Sequence, residues 1–196
     1  MQKKPLTARQ TKALATILGD RPRDRALFLC GIDSMLRSSD LRHLKVADLL
    51  DSAGHIKDEC SITQQKTKRT VTFTLSEPTR HAIGHWIQVS NKGNRDYLWT
   101  GRTKKYGKLG ELNGKPISQV QYQRLVKRWL EDLGVAADDY STHSLRKTKA
   151  SAIYENTKNV EAIRQLLGHS SVSATSHYLG IEKAQALDIA REHKMF

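Results

Sequence analysis

The sequence predicts an α+β fold that is mainly helical and carries one small antiparallel hairpin. Helix-start signals recur along the chain, at Thr7-x-x-Gln10, at Pro22, at Ser76 with Pro78, and at Ser118. Between Ser118 and Leu133, the apolar residues Tyr122, Leu125, Val126, Trp129, Leu130 and Leu133 fall at helical spacing. Residues 60 to 75 change period, and Thr70-Val-Thr-Phe-Thr-Leu alternates hydroxyl and apolar side chains as a half-buried strand does.

Length and charge bound the rest. A chain of 196 residues is long enough for one domain with a real core, and residues 1–196 are read as a single domain. Lys and Arg number 33 against 20 Asp and Glu, a formal net charge of +13, with 38% hydrophobic residues and 4 prolines. That composition describes an ordered globule whose favoured partner is a polyanion, because releasing counterions from a nucleic acid rewards an excess of cations. A membrane surface would use the same charge. However, the chain shows no basic amphipathic helix and no apolar run of spanning length. Met1-Gln-Lys-Lys-Pro-Leu leads into polar sequence rather than an apolar leader, so the expected location is cytoplasmic.

In order, Thr7 opens a helix to about Leu18, and Pro22 starts a second through the apolar run ending near Ile32. Ser34 to Leu41 is a turn entering a helix, and a hairpin follows with Lys66-Thr67-Lys68-Arg69 as its connection. Ser76 and Pro78 begin a helix through Ile83, Trp86 and Ile87; Asn91 to Asp96 is a turn, and Tyr97-Leu-Trp a short buried piece. The basic loop 101–115 is expected to touch the polyanion. The helix from Ser118 ends at Gly134, and its apolar stripe reads as core rather than as a stacking platform. Thr142 is positioned to cap the next helix, a polar helix-like segment leads to Leu166-Leu167-Gly168-His169, and Gly168 is its C-cap. Tyr178 lies in a Ser/Thr/His-rich stretch, and Ile181 to His193 reads as a terminal helix with Ile181, Ala184 and Leu187 on one face.

Several chemistries are excluded by residue type. Cys30 and Cys60 are too few for a metal cluster and read as buried thiols. His81 and His85 have zinc-helix spacing but lack the intervening glutamate that a metalloprotease uses as base. In Gly101 to Gly114 the glycine spacing is one residue too long for a phosphate loop, and Leu109 stands where Ser or Thr would reach magnesium. By contrast, His143 and Arg146 share one face at a helix start, where free N–H groups and the helix dipole favour a phosphate oxygen.

His143-x-x-Arg146, Leu-Leu-Gly-His169 and Tyr178, in that order, resemble the second catalytic box and nucleophile of the tyrosine recombinases, the phage integrase family. Leu36-Arg37-Ser-Ser-Asp40-Leu41 is similar to the family turn Leu-Arg-x-x-Glu-Leu that carries the first catalytic arginine, with Asp40 for the usual Glu and Met35 where a glycine often stands. Lys66 aligns best with the lysine of the family hairpin, and Lys68 is its competitor. The resemblance covers roughly Thr7 to Ile189 and implies the catalytic domain of a site-specific recombinase. Its chemistry would cleave and rejoin double-stranded DNA through a 3′-phosphotyrosine. Arg37 and Arg146 would stabilise the phosphoryl transition state, His143 would assist removal of the phenol proton, and Lys66 would protonate the leaving oxygen. His169 would orient the phosphate and Tyr178 would attack it, while Lys68, Arg69 and Lys147 would touch the DNA backbone.

No cofactor, metal or ATP is implied. The family's usual N-terminal core-binding domain is not expected in this sequence. A tetramer on DNA and a monomer without it are expected, with the segment after Tyr178 passing between protomers about Gly180. A type IB topoisomerase, or a noncatalytic DNA-binding regulator of the same fold, are the alternatives.

Overall fold

The computed structural model describes residues 3–101, 114–181 and Arg191. Its element boundaries follow the sequence signals closely where those signals are local. Thr7 caps α1 (Ala8–Ile17) in a reciprocal box with Gln10, and Pro22 is the first residue of α2 (Pro22–Ser34). Two short helices follow, α3 (Ser38–Arg42) and α4 (Val46–Leu49), then β1 (Glu59–Thr63) and β2 (Thr70–Thr74). The strands pair antiparallel with Cys60 opposite Phe73 and Ile62 opposite Val71. One face of this hairpin buries Cys60, Val71 and Phe73, and the other is a ladder of hydroxyls in which Ser61 and Thr72 lie 2.8 Å apart.

Helix α5 (Glu77–Ser90) is the main partner of α2. Asp33, at the end of α2, accepts from the Ser76 N–H and Oγ and the Thr79 Oγ1 at the start of α5, and from Lys149 at 3.3 Å. Ser118 caps α6 (Gln119–Asp132), whose stripe buries Tyr122, Val126, Trp129 and Leu130 as the periodicity predicts. Trp129 meets the edge of Phe28 at 6.1 Å between ring centroids. These residues, with Leu27, Leu41, Leu98, Trp99 and Leu145, form the main core.

The C-terminal third departs from the simple reading. The cap of α7 (Thr142–Thr157) is Ser141, one residue earlier than expected, because the Ser141 hydroxyl accepts from His143 N–H while Ser144 Oγ accepts from Ser141 N–H. Thr142 is the buried first residue of the helix. The segment read as one helix is two, since Lys158 turns left-handed (φ 53°) and Asn159 caps α8 (Val160–Leu167). The stretch around Tyr178 is itself helical, α9 (Val172–Leu179), opened by the Ser171 hydroxyl and closed by Gly180. Helices α7, α8 and α9 enclose a second, small core of Met35, Ala150, Ile163 and Leu167, against which Tyr154, Tyr178 and Leu179 pack.

Both cysteines are buried and free. Most of the expected helix 181–193 and most of the basic loop 101–115 lie outside the described residues. No helix of the described residues is long and apolar enough to cross a membrane.

Candidate active site

Arg37 caps α3 in extended conformation (φ −63°, ψ 149°), two residues after the left-handed Met35 that ends α2. Leu36 and Leu41 anchor this turn in the main core, which leaves the Arg37 side chain half-buried with its Nη1 enclosed and unpartnered. Arg146 lies on the inner side of the first turns of α7, only 4% exposed. Its Nη2 donates to the Leu167 carbonyl at 2.9 Å, and its Nη1, like that of Arg37, is buried without a partner. Burial is the chief reason that the Arg146 pKa falls to about 10, with the Arg37 charge adding to the effect and Tyr178 and Asp40 opposing it. The guanidinium therefore remains cationic at neutral pH.

Tyr178 enters from α9. Burial pushes its phenol above the ordinary tyrosine value, while the Arg146 and Arg37 charges pull it back down. Arg146 is near enough for hydrogen-bonding attraction to lower the phenol's pKa, but the geometry falls short of a complete hydrogen bond, and the buried Tyr178 hydroxyl has no other partner. The His169 ring stands edge-on to Tyr178 at 5.4 Å, and its Nδ1 lies 3.1 Å from Thr175 Oγ1. Desolvation, followed by Arg146 and Arg37, lowers the His169 pKa to about 4, so the imidazole is neutral at pH 7. His143 sits at the exposed lip. Residual desolvation there and the neighbouring Arg146 charge hold its pKa below the usual 6.5.

The hairpin closes one side. Asp40 Oδ1 accepts from the Gln65 N–H at 2.9 Å, tethering the hairpin turn to α3, and the Gln64 amide donates to the same Leu167 carbonyl that Arg146 uses. Gly168 follows with φ +63°, and a Cβ there would stand 2.6 Å from Val71 Cγ1, so both backbone and space require glycine. Lys66 is exposed on the turn beside Gln65, and Lys68 (φ 56°) and Arg69 are exposed after it.

Of the residues singled out in the sequence, Arg37, Arg146, His169 and Tyr178 are brought into mutual electrostatic contact, and His143 adjoins Arg146. Lys66 extends from the adjoining turn, and Lys147 is half-buried beside Arg146 with its pKa lowered by burial. Sequence reasoning gave no role to Gln64 or Thr175, both buried. Only their neighbours in the motifs, Lys66 and Tyr178, pointed toward them. Asp40 was visible as part of the arginine turn, but not as the acceptor that holds the hairpin.

Paired guanidiniums, two imidazoles with lowered pKa and a phenol make a site suited to nucleophilic attack on a phosphodiester. The chain belongs to the phage integrase family, whose model matches residues 4–185. It is 31% identical over 168 residues to a probable integrase/recombinase, YoeC of Bacillus subtilis, covering 85% of this chain and 82% of that protein. It is 26% identical over 194 residues to the tyrosine recombinase XerC of Caldanaerobacter subterraneus, covering 97% of this chain and 51% of that one. The chain thus spans about half the length of several of the recombinases it matches. Its fold is that of the XerA recombinase crystal structure, with TM-score 0.76 and 19% identity over 100% of this chain and 67% of the other. It is also that of the Tn1549 transposon integrase in complex with circular intermediate DNA, with TM-score 0.73 and 18% identity over 98% of this chain and 67% of the other.

Proposed function

We propose that this chain is the catalytic part of a site-specific DNA recombinase, with Tyr178 as nucleophile and Arg37, Lys66, His143, Arg146 and His169 as its assisting groups. The observation that carries the reading is a set of buried, unpartnered polar atoms on coupled side chains: Arg37 Nη1, Arg146 Nη1 and Tyr178 Oη. Leaving such atoms unpaired is costly, and a phosphodiester supplies what each lacks: two acceptors for the guanidiniums and an electrophile for the phenol. What weighs against a noncatalytic regulator is the grouping of this phenol with two guanidiniums that also lack partners, since Tyr122 in the main core is likewise a buried phenol without a hydrogen bond.

In the reaction, Tyr178 Oη attacks phosphorus, the bond from phosphorus to the 5′ oxygen breaks, and a 3′-phosphotyrosine forms. The phenol proton passes to His143, which is neutral at pH 7. Lys66, carried in on the hairpin, gives a proton to the departing 5′ oxygen. Negative charge growing on the nonbridging oxygens is met by Arg37 and Arg146, which are already fixed and partly desolvated. Neutral His169 directs its Nε2 to the phosphate while Thr175 holds Nδ1. A 5′ hydroxyl from another strand reverses the steps and rejoins the DNA. Lys68, Arg69 and Lys147 bind the phosphate backbone on either side, and tetramer assembly on DNA supplies the second strand.

The test is capture of a covalent adduct on a library of nicked duplexes, followed by sequencing of the trapped DNA. Wild-type protein should yield an adduct mapped to Tyr178, and Tyr178→Phe none. An adduct formed by Tyr178→Phe at the wild-type rate, or mapped to another residue, would overturn the assignment.

A further inference from the structure

We propose that Met35 is a positioning residue for Tyr178, the link that sets the distance between the Arg37 turn and the nucleophile helix. The inference rests on the reading of Tyr178 as nucleophile.

Met35 combines two properties that seldom meet. Its backbone is left-handed (φ 50°, ψ 25°), a conformation that a long side chain adopts at a cost and glycine adopts freely. Its side chain is nonetheless buried, with 3% exposure. The destination of that side chain explains the compromise. Among the described residues, every other member of the small core, buried or packed against it, comes from α7, α8 or α9; Met35 alone comes from the N-terminal half. The next residue, Leu36, belongs to the main core, and the one after it is Arg37.

Three consecutive residues therefore point to three destinations: Met35 into the core beneath Tyr178, Leu36 into the main core, and Arg37 into the site. A glycine at position 35 would keep the turn and remove the link. Helices α8 and α9 would then lose their apolar tie to the α2–α3 turn, while α8 would keep its packing on α7 and β2. Methionine suits this role, since its unbranched, flexible chain fills an irregular gap reached from a fixed backbone.

Met35→Gly, Met35→Leu and wild type decide the matter, each as the full 196-residue chain. The first removes the side chain without straining the backbone; the second restores bulk. With ring-labelled tyrosine, and the Tyr178 signal assigned through Tyr178→Phe, the phenol is titrated by NMR. In Met35→Gly the Tyr178 signal should broaden and its pKa should return toward the ordinary tyrosine value of 10.0, because burial is what raises it. Met35→Leu should titrate as wild type. On the duplex captured by wild type, Met35→Gly should form adduct about tenfold more slowly or worse, since small misplacements of a reacting group are amplified in rate, while DNA affinity stays near wild type.

An unchanged Tyr178 titration in Met35→Gly, or a Met35→Leu chain as defective as Met35→Gly, overturns the proposal. If Met35→Gly loses its cooperative thermal transition, Met35→Ala replaces it with the same expected and overturning results. The titration needs no DNA, so a wild-type chain that forms no adduct would defeat the proposed function while leaving Met35 to be decided by NMR.

Discussion

The two halves of the site rest on foundations of different size. Arg37 and the start of α7 stand on the main core, through Leu36, Leu41 and Leu145. Tyr178 and His169 stand on helices whose apolar core, among the described residues, has four buried members, Met35, Ala150, Ile163 and Leu167. The difference separates two demands of the chemistry. Groups that stabilise charge work best when already fixed, because reorganisation at the moment of reaction would cancel their benefit. A nucleophile carried on a small core is easier to withdraw, because such a core opens locally at low cost without unfolding the rest.

The largest effect should come from the fixed half. Arg146→Ala removes a buried guanidinium and should lower the single-turnover cleavage rate by about 10²–10³-fold or more, the range for losing one preorganised donor. Adduct formation on captured DNA measures it; a loss under about fivefold would place the electrostatic work elsewhere. Next are core truncations, which should divide by foundation. Leu27→Ala and Ile163→Ala both empty fully buried sites, and each should cost about 2–5 kcal/mol. In Leu27→Ala the loss should appear as a lower midpoint of global unfolding. In Ile163→Ala it should appear as faster amide exchange in α8 and α9, with protection in α2 and α5 retained. Uniformly faster exchange in both variants would show one cooperative unit and erase the distinction.

A smaller effect is expected from acid. The folded-state pKa of His169 is about 4, below its ordinary 6.5. As pH falls below 6.5 the unfolded chain takes up a proton that the folded chain refuses, so stability drops through this window and levels off near pH 4. His169→Gln should flatten that slope in denaturant titrations made at successive pH values. Thr175→Val should have the mildest consequence, a modest slowing of cleavage with little change in DNA binding, because it removes only the partner of His169 Nδ1. If His169→Gln loses amide protection throughout α8 and α9, His169 holds the fold of this half rather than the phosphate.

Legibility in the sequence follows the same divide. Elements whose signals are local were readable: the Thr7 box of α1, Pro22 of α2, the alternation of β2 and the stripe of α6. The site residues were readable as an ordered set of motifs, and the structure draws most of them together. The C-terminal third was harder. α9 has few apolar positions, and its helix is set by the Ser171 cap, the Gly180 terminus and packing on α8 rather than by periodicity. The break at Lys158 carries no glycine or proline to announce it. Methionine by itself does not announce a left-handed backbone, and only its place where the family turn often has glycine hinted at one; the partition into two cores is a tertiary fact that no single segment contains.

The carbonyl of Leu167 accepts from both Arg146 and Gln64, and the next residue, Gly168, leaves no room for a side chain against Val71. For protein engineering this makes the hairpin and the end of α8 one exchangeable part rather than two. A chimera that borrows the hairpin of another member of the family has to import residues 64 and 71 together with residues 167 and 168. Otherwise the graft disturbs the guanidinium of Arg146, which shares its anchor on the Leu167 carbonyl.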